Sequence, residues 1–105
     1  MKDLDQIVHE KSRLAILTTL RTRPSISFRE LKHLTQLTDG MLSVQTQNLE
    51  KAEYITIIKA FLGRKPFTTY KMTKRGERAF DKYLREMEAL IAQIHRQQEE
   101  NTENA

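Results

Sequence analysis

The side chains best suited to binding an anion in this 105-residue chain lie at the tip of a predicted β-hairpin. β-Branched and aromatic residues favour strands over residues 54–58 and 67–72, with a connection containing glycine and proline between them. That connection, residues 62–66, carries Arg64 and Lys65 and no acidic residue. A guanidinium and an ammonium held out into solvent can bind phosphate groups. The hairpin therefore predicts contact with a polyanion.

The charge of the chain is unevenly distributed. Residues 1–84 carry 16 basic and 9 acidic residues, whereas residues 85–105 carry 2 basic and 5 acidic residues. Arg29 in a predicted helix and Lys71 in the hairpin are further candidates for phosphate contact, as are Lys32, Lys74 and Arg75. A basic surplus favours a polyanion partner. The alternative is a basic, solvated surface on a domain that binds no nucleic acid.

A second set of polar side chains lies on one face of a predicted helix that begins after Thr38 and ends near Glu53. Leu42, Leu49 and Ala52 form its apolar side. Its other side presents the candidate binding residues Gly40, Ser43, Val44, Gln47 and Lys51, to which Thr38 at the start of the helix is added. The Gln47 amide can pair with adenine, the Ser43 hydroxyl can donate or accept, and Val44 can contact a thymine methyl. The alternative is that this face is polar only because it is exposed to solvent. The helix taken alone favours this alternative.

Two helices are predicted upstream. The first runs from Leu4 to about Arg23, where Pro24 ends it, and residues 25–27 form a short extended link. The second runs from residue 28 to about residue 35, because Ser27 and Glu30 have the spacing of a capping box; Leu31 and Leu34 should face inward. With the third helix it forms a helix-turn-helix.

A fourth helix is predicted from Lys74 to about Gln98, with Thr73 as its N-cap. Its apolar residues follow each other at steps of four and three, which is the spacing of helix-to-helix packing. The helix is longer than a core of this size can cover, so we expect a homodimer. The candidate interface residues lie on the first and fourth helices: Leu4, Ile7, Val8, Leu84, Met87, Leu90, Ile91 and Ile94. Residues 1–96 should form one domain, followed by a polar, frayed tail over residues 97–105.

Other classes of function have little support. Asp5, His9 and either Ser12 or Arg13 can share a helix face, but neighbours on an exposed helix offer no pocket or oxyanion donors for catalysis. We expect no enzyme, no cofactor and no metal, because the chain lacks cysteine and its three histidines lie far apart in sequence. No apolar run is long enough to span a membrane, and a cytoplasmic location fits. The sequence does not identify a small-molecule effector.

The order of these elements resembles a known family. The chain is similar to small, single-domain winged-helix transcriptional regulators of the MarR/ArsR-like kind over about residues 5–95. The matching stretches are Ser27–Leu31, Thr38–Ser43, Gly63–Pro66 and Thr69–Gly76. This resemblance implies a mainly helical α+β fold, in which a three-helix core carries a β-hairpin wing and a long C-terminal dimerisation helix.

Two departures from the family pattern concern the third helix. Members usually place basic residues along its middle, where this chain has Val44, Gln45, Gln47 and Asn48, so the readout should be weaker or lean towards A·T pairs. The usual Ala-Gly after the helix is Ala52-Glu53 here, which predicts that the helix runs directly into Tyr54.

Together these observations predict a homodimeric regulator that binds a pseudo-palindromic site in double-stranded DNA. The third helix would enter the major groove, and the wing would contact phosphate or the minor groove. The alternative is a winged-helix module that binds a protein and no specific DNA.

Overall fold

The computed structural model describes residues 3–103, which form four helices and one three-stranded antiparallel sheet. The elements in chain order are α1 (Lys11–Arg21), β1 (Ile26–Ser27), α2 (Phe28–Thr35), α3 (Asp39–Lys51), β2 (Ile55–Leu62), β3 (Lys65–Met72) and α4 (Lys74–Glu103). The sheet order is β1-β3-β2. The predicted fold class is confirmed: a helix-turn-helix core, a β-hairpin and a long C-terminal helix.

The first helix begins at Lys11, so its predicted start at Leu4 is wrong. Glu10 has an extended backbone (φ −149°, ψ 135°), and its carboxylate accepts hydrogen bonds from the amides of Ser12 and Arg13 at 3.1 and 2.8 Å. Asp5 caps an earlier turn by accepting from the two amides of residues 7 and 8. Two carboxylates that each bind nearby amides divide the stretch into a single turn and a separate helix.

The second helix begins as predicted. The Ser27 hydroxyl accepts from the Glu30 amide at 3.2 Å, and it donates to the Glu30 carboxylate. The predicted link before it includes a strand, because β1 pairs with β3 through Ile26 and Ser27. Leu31 is fully buried, but Leu34 is 47% exposed and its inward placement is wrong. The packed face of α2 is centred on Leu31, and Leu34 lies at its edge beside a shallow groove.

The third helix ends at Lys51 instead of running into Tyr54. Ala52 is its C-cap, and Glu53 takes a left-handed backbone conformation with φ 64°. Few residues other than glycine adopt this conformation, since the Cβ then crowds the carbonyl. The Glu53 carbonyl accepts from the Thr73 hydroxyl at 2.7 Å, and its carboxylate pairs with Arg75 at 3.2 Å. The helix therefore ends in a left-handed residue, although that residue is a glutamate.

The hairpin strands are longer than predicted. They pair from Ile55 with Met72 to Leu62 with Lys65, which leaves Gly63 and Arg64 as a two-residue turn. Gly63 has φ 64°, which glycine adopts without steric cost.

The fourth helix starts at the predicted cap, where the Gly76 amide donates to the Thr73 hydroxyl at 2.9 Å. It continues through Glu103, beyond its predicted end near Gln98. Arg21 on α1 holds the Asp81 carboxylate of α4 with two hydrogen bonds of 2.9 Å, and these lower the pKa of Asp81. Phe80 and Tyr83 pack into the core, which is built from residues of every helix and strand.

Candidate nucleic-acid interface

The exposed face of α3 carries all the residues predicted for it. Val44 is 55% exposed. The five other predicted residues are also exposed: Thr38, Gly40, Ser43, Gln47 and Lys51. The Thr38 hydroxyl caps the helix by accepting from the Met41 amide at 3.1 Å. Leu42, Thr46 and Leu49 are buried on the other side and fix the helix against the core.

An arginine outside α3 anchors it. The Arg13 guanidinium donates to Gln45 Oε1 at 2.8 Å and to the carbonyls of Ile7 and Gln6 at 2.6 and 3.2 Å. Gln45 Oε1 also accepts from the side-chain Nδ2 of Asn48 at 3.2 Å. The side chains of Gln45 and Asn48 are therefore hydrogen-bonded within the protomer. The spacing of Arg13 along its own helix gave no sign of this role.

A groove of about 380 Å³ lies between α3 and the hairpin. Its α3 wall includes Ser43, Gln47 and Lys51, and its hairpin wall includes Lys59, Thr68 and Tyr70. Burial raises the pKa of Tyr70, although a hydrogen bond with Thr46 opposes the rise, so the phenol is neutral at physiological pH. The groove therefore presents two ammonium groups, from Lys51 and Lys59, and one carboxylate, from Glu50, together with hydroxyl and amide groups.

The strand register divides the hairpin into two faces. One face carries every second residue of β2 and their β3 partners. We call it the inner face because it faces α3, and its β2 residues are Ile55, Ile57, Lys59 and Phe61. The outer face carries Thr56, Ile58, Ala60 and Leu62 with their partners Lys71, Thr69, Phe67 and Lys65. The structure therefore separates the predicted cations: Lys65 and Lys71 are on the outer face, and Arg64 is in the turn. Lys59 was missed because only the register places it on the inner face.

Several cations near this surface have no acidic partner. Within residues 3–103, none of the following forms an ion pair with an acid: Arg29, Lys51, Lys59, Arg64, Lys65 and Lys71. Three other candidates are paired: Lys32 with Asp39, Lys74 with Glu77, and Arg75 with Glu53. The unpaired cations are exposed and carry their charge into solvent.

The predicted interface residues fall into three groups. Val8 is fully buried in the protomer, so it offers no surface to a partner and its assignment is wrong. Leu4, Ile7 and Met87 are partly buried against the core, and Leu90 is also partly buried. Leu84, Ile91 and Ile94 are 40–50% exposed along α4.

The residues considered for catalysis do not form a relay. Asp5 accepts a hydrogen bond from the Tyr54 hydroxyl, whose pKa is raised to about 12 by burial and by this carboxylate. His9 Nδ1 lies 2.7 Å from the Tyr83 hydroxyl, and Ser12 is buried. Across residues 3–103 no His, Cys, Asp or Glu cluster could hold a metal ion. None of the helices in that range is both long and apolar enough to cross a bilayer.

The sequence from residue 12 to residue 91 matches the family model of the winged helix DNA-binding domain. The chain belongs to this family. The match spans the helix-turn-helix, the hairpin and the first half of α4 of this winged helix domain. No curated protein sequence matches it.

Solved structures share the fold of this winged helix domain. A transcriptional regulator homologue from Pyrococcus horikoshii OT3 superimposes with a TM-score of 0.80 at 24% identity, over 86% of this chain and 89% of that chain. A MarR-family regulator from Porphyromonas gingivalis W83 gives 0.63 at 22% identity, over 88% and 94%. The regulator YtfH from Salmonella typhimurium gives 0.68 at 23% identity, over 90% and 86%.

Proposed function

We propose that the chain is a homodimeric transcriptional regulator that binds double-stranded DNA, with α3 in the major groove and the hairpin on phosphate and the minor groove. The observation that carries the proposal is the groove between α3 and the hairpin, because Lys51 and Lys59 line it from two separate elements. Neither lysine forms an ion pair within residues 3–103, although the carboxylate of Glu50 also lines the groove. Membership of the winged helix DNA-binding family supports it. A regulator of this kind would act in the cytoplasm.

The groove suits one phosphate strand of a duplex. A phosphate backbone separates the major groove from the minor groove, so a helix in one and a hairpin on the other must accommodate that backbone between them. Lys51 and Lys59 would contact its phosphates from opposite walls, and Thr68 would add a hydrogen bond. Arg29, Arg64, Lys65 and Lys71 would add phosphate contacts outside the groove.

Base recognition would come from the exposed face of α3. Gln47 can offer its amide to adenine, and Val44 can contact a thymine methyl group. Gln47 Nε2 lies 3.3 Å from the Ser43 hydroxyl, so the two side chains form a polar pair on this face. The neutral side chains of Ser43, Val44 and Gln47 and the absence of arginine on this face favour A·T-containing sites over guanine readout.

The dimer would form through α4. An apolar stripe on α4 packs on the core through Phe80, Tyr83 and Met87. It continues with Ile91 and Ile94, whose side chains are about half exposed. A second copy of α4 would cover this stripe. A twofold dimer presents two α3 helices and suits a pseudo-palindromic site with half-sites about one helical turn apart.

The test is selection of bound duplexes from a random pool at physiological salt, followed by affinity measurements over a range of salt concentrations. Arg64→Ala with Lys65→Ala should weaken binding to every duplex and reduce the salt slope by about two per protomer, or about four for the dimer, since each lost phosphate contact removes roughly 0.9. The control is Lys82→Ala with Arg85→Ala on α4, which should leave the slope unchanged. Gln47→Ala should alter the selected sequence instead. An unchanged slope in the wing variant would contradict the role of the wing.

A protein-interaction module is the second candidate. It is favoured by the apolar side chains of the outer face, where Ile58, Leu62 and Phe67 are all exposed. This function predicts duplex binding that disappears at physiological salt and ignores sequence. Recovery of a consistent site from the random pool would exclude it as the main function.

A further inference from the structure

Phe61 is the most exposed large apolar side chain of residues 3–103, at 71% exposure. It lies in β2 two residues before the hairpin turn, within a chain that buries its other aromatic residues to a greater extent. Leaving a phenylalanine in water forfeits the favourable free energy that its burial would provide. An exposed aromatic ring at this position therefore needs a specific explanation.

The strand register places Phe61 on the inner face of the hairpin. Its partner on β3 is Pro66, and the next pair along this face is Lys59 with Thr68, which lines the groove beside α3. Because side chains alternate along a strand, Phe61 continues this face outwards beyond the groove. Ile58, three residues earlier, is on the outer face and is 46% exposed.

The chemistry around Phe61 favours a nucleic acid over an apolar protein surface. Lys59 is on the same face, and Arg64 follows in the turn; neither has an acidic partner within the described residues. Minor-groove proteins combine cations, which contact phosphates and the negative groove, with apolar side chains that wedge against base steps. Pro66 opposite Phe61 has a fixed φ, which stiffens the hairpin behind the ring.

We propose that Phe61 is a wedge that enters the minor groove of the bound duplex, packs against deoxyribose and base edges, and bends the DNA. Arg64 then contacts the flanking phosphates or the groove floor beside it. This inference rests on the proposed DNA-binding function and adds a mechanism for indirect readout, since flexible pyrimidine–purine steps unstack at the lowest cost.

A fluorescence experiment tests the placement of Phe61. The chain contains no tryptophan, so Phe61→Trp and the outer-face control Ile58→Trp each introduce a single indole, which is excited selectively over the three tyrosines. Both are titrated with the duplex recovered from the random pool, and binding is followed independently through the anisotropy of a labelled duplex. Emission from Phe61→Trp should fall by about half on binding as the indole contacts the bases, while emission from Ile58→Trp changes little.

Affinity and bending supply the second measurement. Phe61→Ser should bind this duplex roughly tenfold more weakly, because the burial of a large apolar side chain is lost. It should also lengthen the end-to-end distance reported by energy transfer between dyes at the duplex termini. Ile58→Ser, the matched control, should bind and bend like the parent. Both positions are exposed, so thermal unfolding should confirm that the variants fold.

The outcomes distinguish the proposed DNA-binding function from the proposed role of Phe61. Failure of the parent chain to bind any selected duplex overturns the proposed function and the wedge with it. Binding by the parent, together with equal emission changes for both tryptophan variants and parent-like affinity of Phe61→Ser, overturns the wedge alone.

Discussion

The Arg13 guanidinium joins α1 to α3 through a 2.8 Å hydrogen bond to Gln45 Oε1. The same guanidinium donates to the carbonyls of Ile7 and Gln6, which precede α1. One side chain thus connects the N-terminal turn, the first helix and the third helix. The planar fork of arginine can make these contacts at once, whereas the ammonium of lysine cannot reproduce their geometry.

Arg13→Lys should therefore lower the free energy of unfolding by about 1–2 kcal/mol, since hydrogen bonds to a charged group are lost. Urea unfolding of Arg13→Lys, Gln45→Ala and the double variant should give a coupling energy of about 1 kcal/mol. Arg23→Lys is the control, because Arg23 is exposed beyond the end of α1 and its replacement should have an effect below about 0.5 kcal/mol. Additive effects of the two changes would show that the contact contributes no stability.

Gly76 should be the least replaceable glycine. A Cβ at this position would overlap the Tyr54 carbonyl oxygen and lie 2.9 Å from its carbon. The start of α4 would have to move away from the hairpin, so Gly76→Ala should lower the free energy of unfolding by about 2–3 kcal/mol. The matched control is Gly40→Ala, where nothing lies within 4 Å of the added methyl group and the helix should gain about 0.5–1 kcal/mol. Thermal or urea unfolding measures both; equal effects would contradict the packing described for Gly76.

Replacement by glycine should be tolerated better at Glu53 than at the neighbouring Glu50. Glu53→Gly relieves a left-handed backbone at φ 64°, although it gives up an exposed ion pair with Arg75. Glu50→Gly instead places glycine inside α3, where it costs about 1 kcal/mol. We expect Glu53→Gly to be more stable than Glu50→Gly by about 1–2 kcal/mol in urea unfolding. The opposite order would mean that the contacts of Glu53 outweigh its backbone conformation.

The proposed dimer depends on the half-exposed stripe of α4. Ile91→Lys with Ile94→Lys should turn a dimer into a monomer of 12.4 kDa, because two charges would be buried in the apolar interface. Ala92→Lys adds a charge to the other side of α4 and serves as the control, which should remain dimeric. Sedimentation of the intact chains at tens of micromolar measures the change. A monomeric parent chain would contradict the interface.

Local interactions explain why the starts of α2, α3 and α4 were predictable. Ser27, Thr38 and Thr73 each accept a hydrogen bond from an amide three residues further along, so these helix starts are encoded within a few residues. The first helix was misplaced because Asp5 and Glu10 both cap nearby amides, and apolar spacing does not reveal which of two competing caps divides a segment.

The candidate interface was predictable only in part. The exposed face of α3 follows from helical periodicity, and the cations of the hairpin turn follow from composition. The inner-face positions of Lys59 and Phe61 depend on how β2 pairs with β3 and on which side of the hairpin faces α3. The anchoring of Gln45 by Arg13 spans 32 residues and requires α1 and α3 to be packed.

The sequence by itself determined the order of the elements, the caps that begin α2, α3 and α4, and the cationic hairpin turn, because these depend on residues within about four positions of each other. The tertiary structure decided which faces meet. Only packing could make glycine necessary at position 76, bury Val8 within the protomer, and place Lys51 and Lys59 on opposite walls of one groove. These relationships join residues distant in sequence, and close-packed side chains, strand register and helix contacts fix them together.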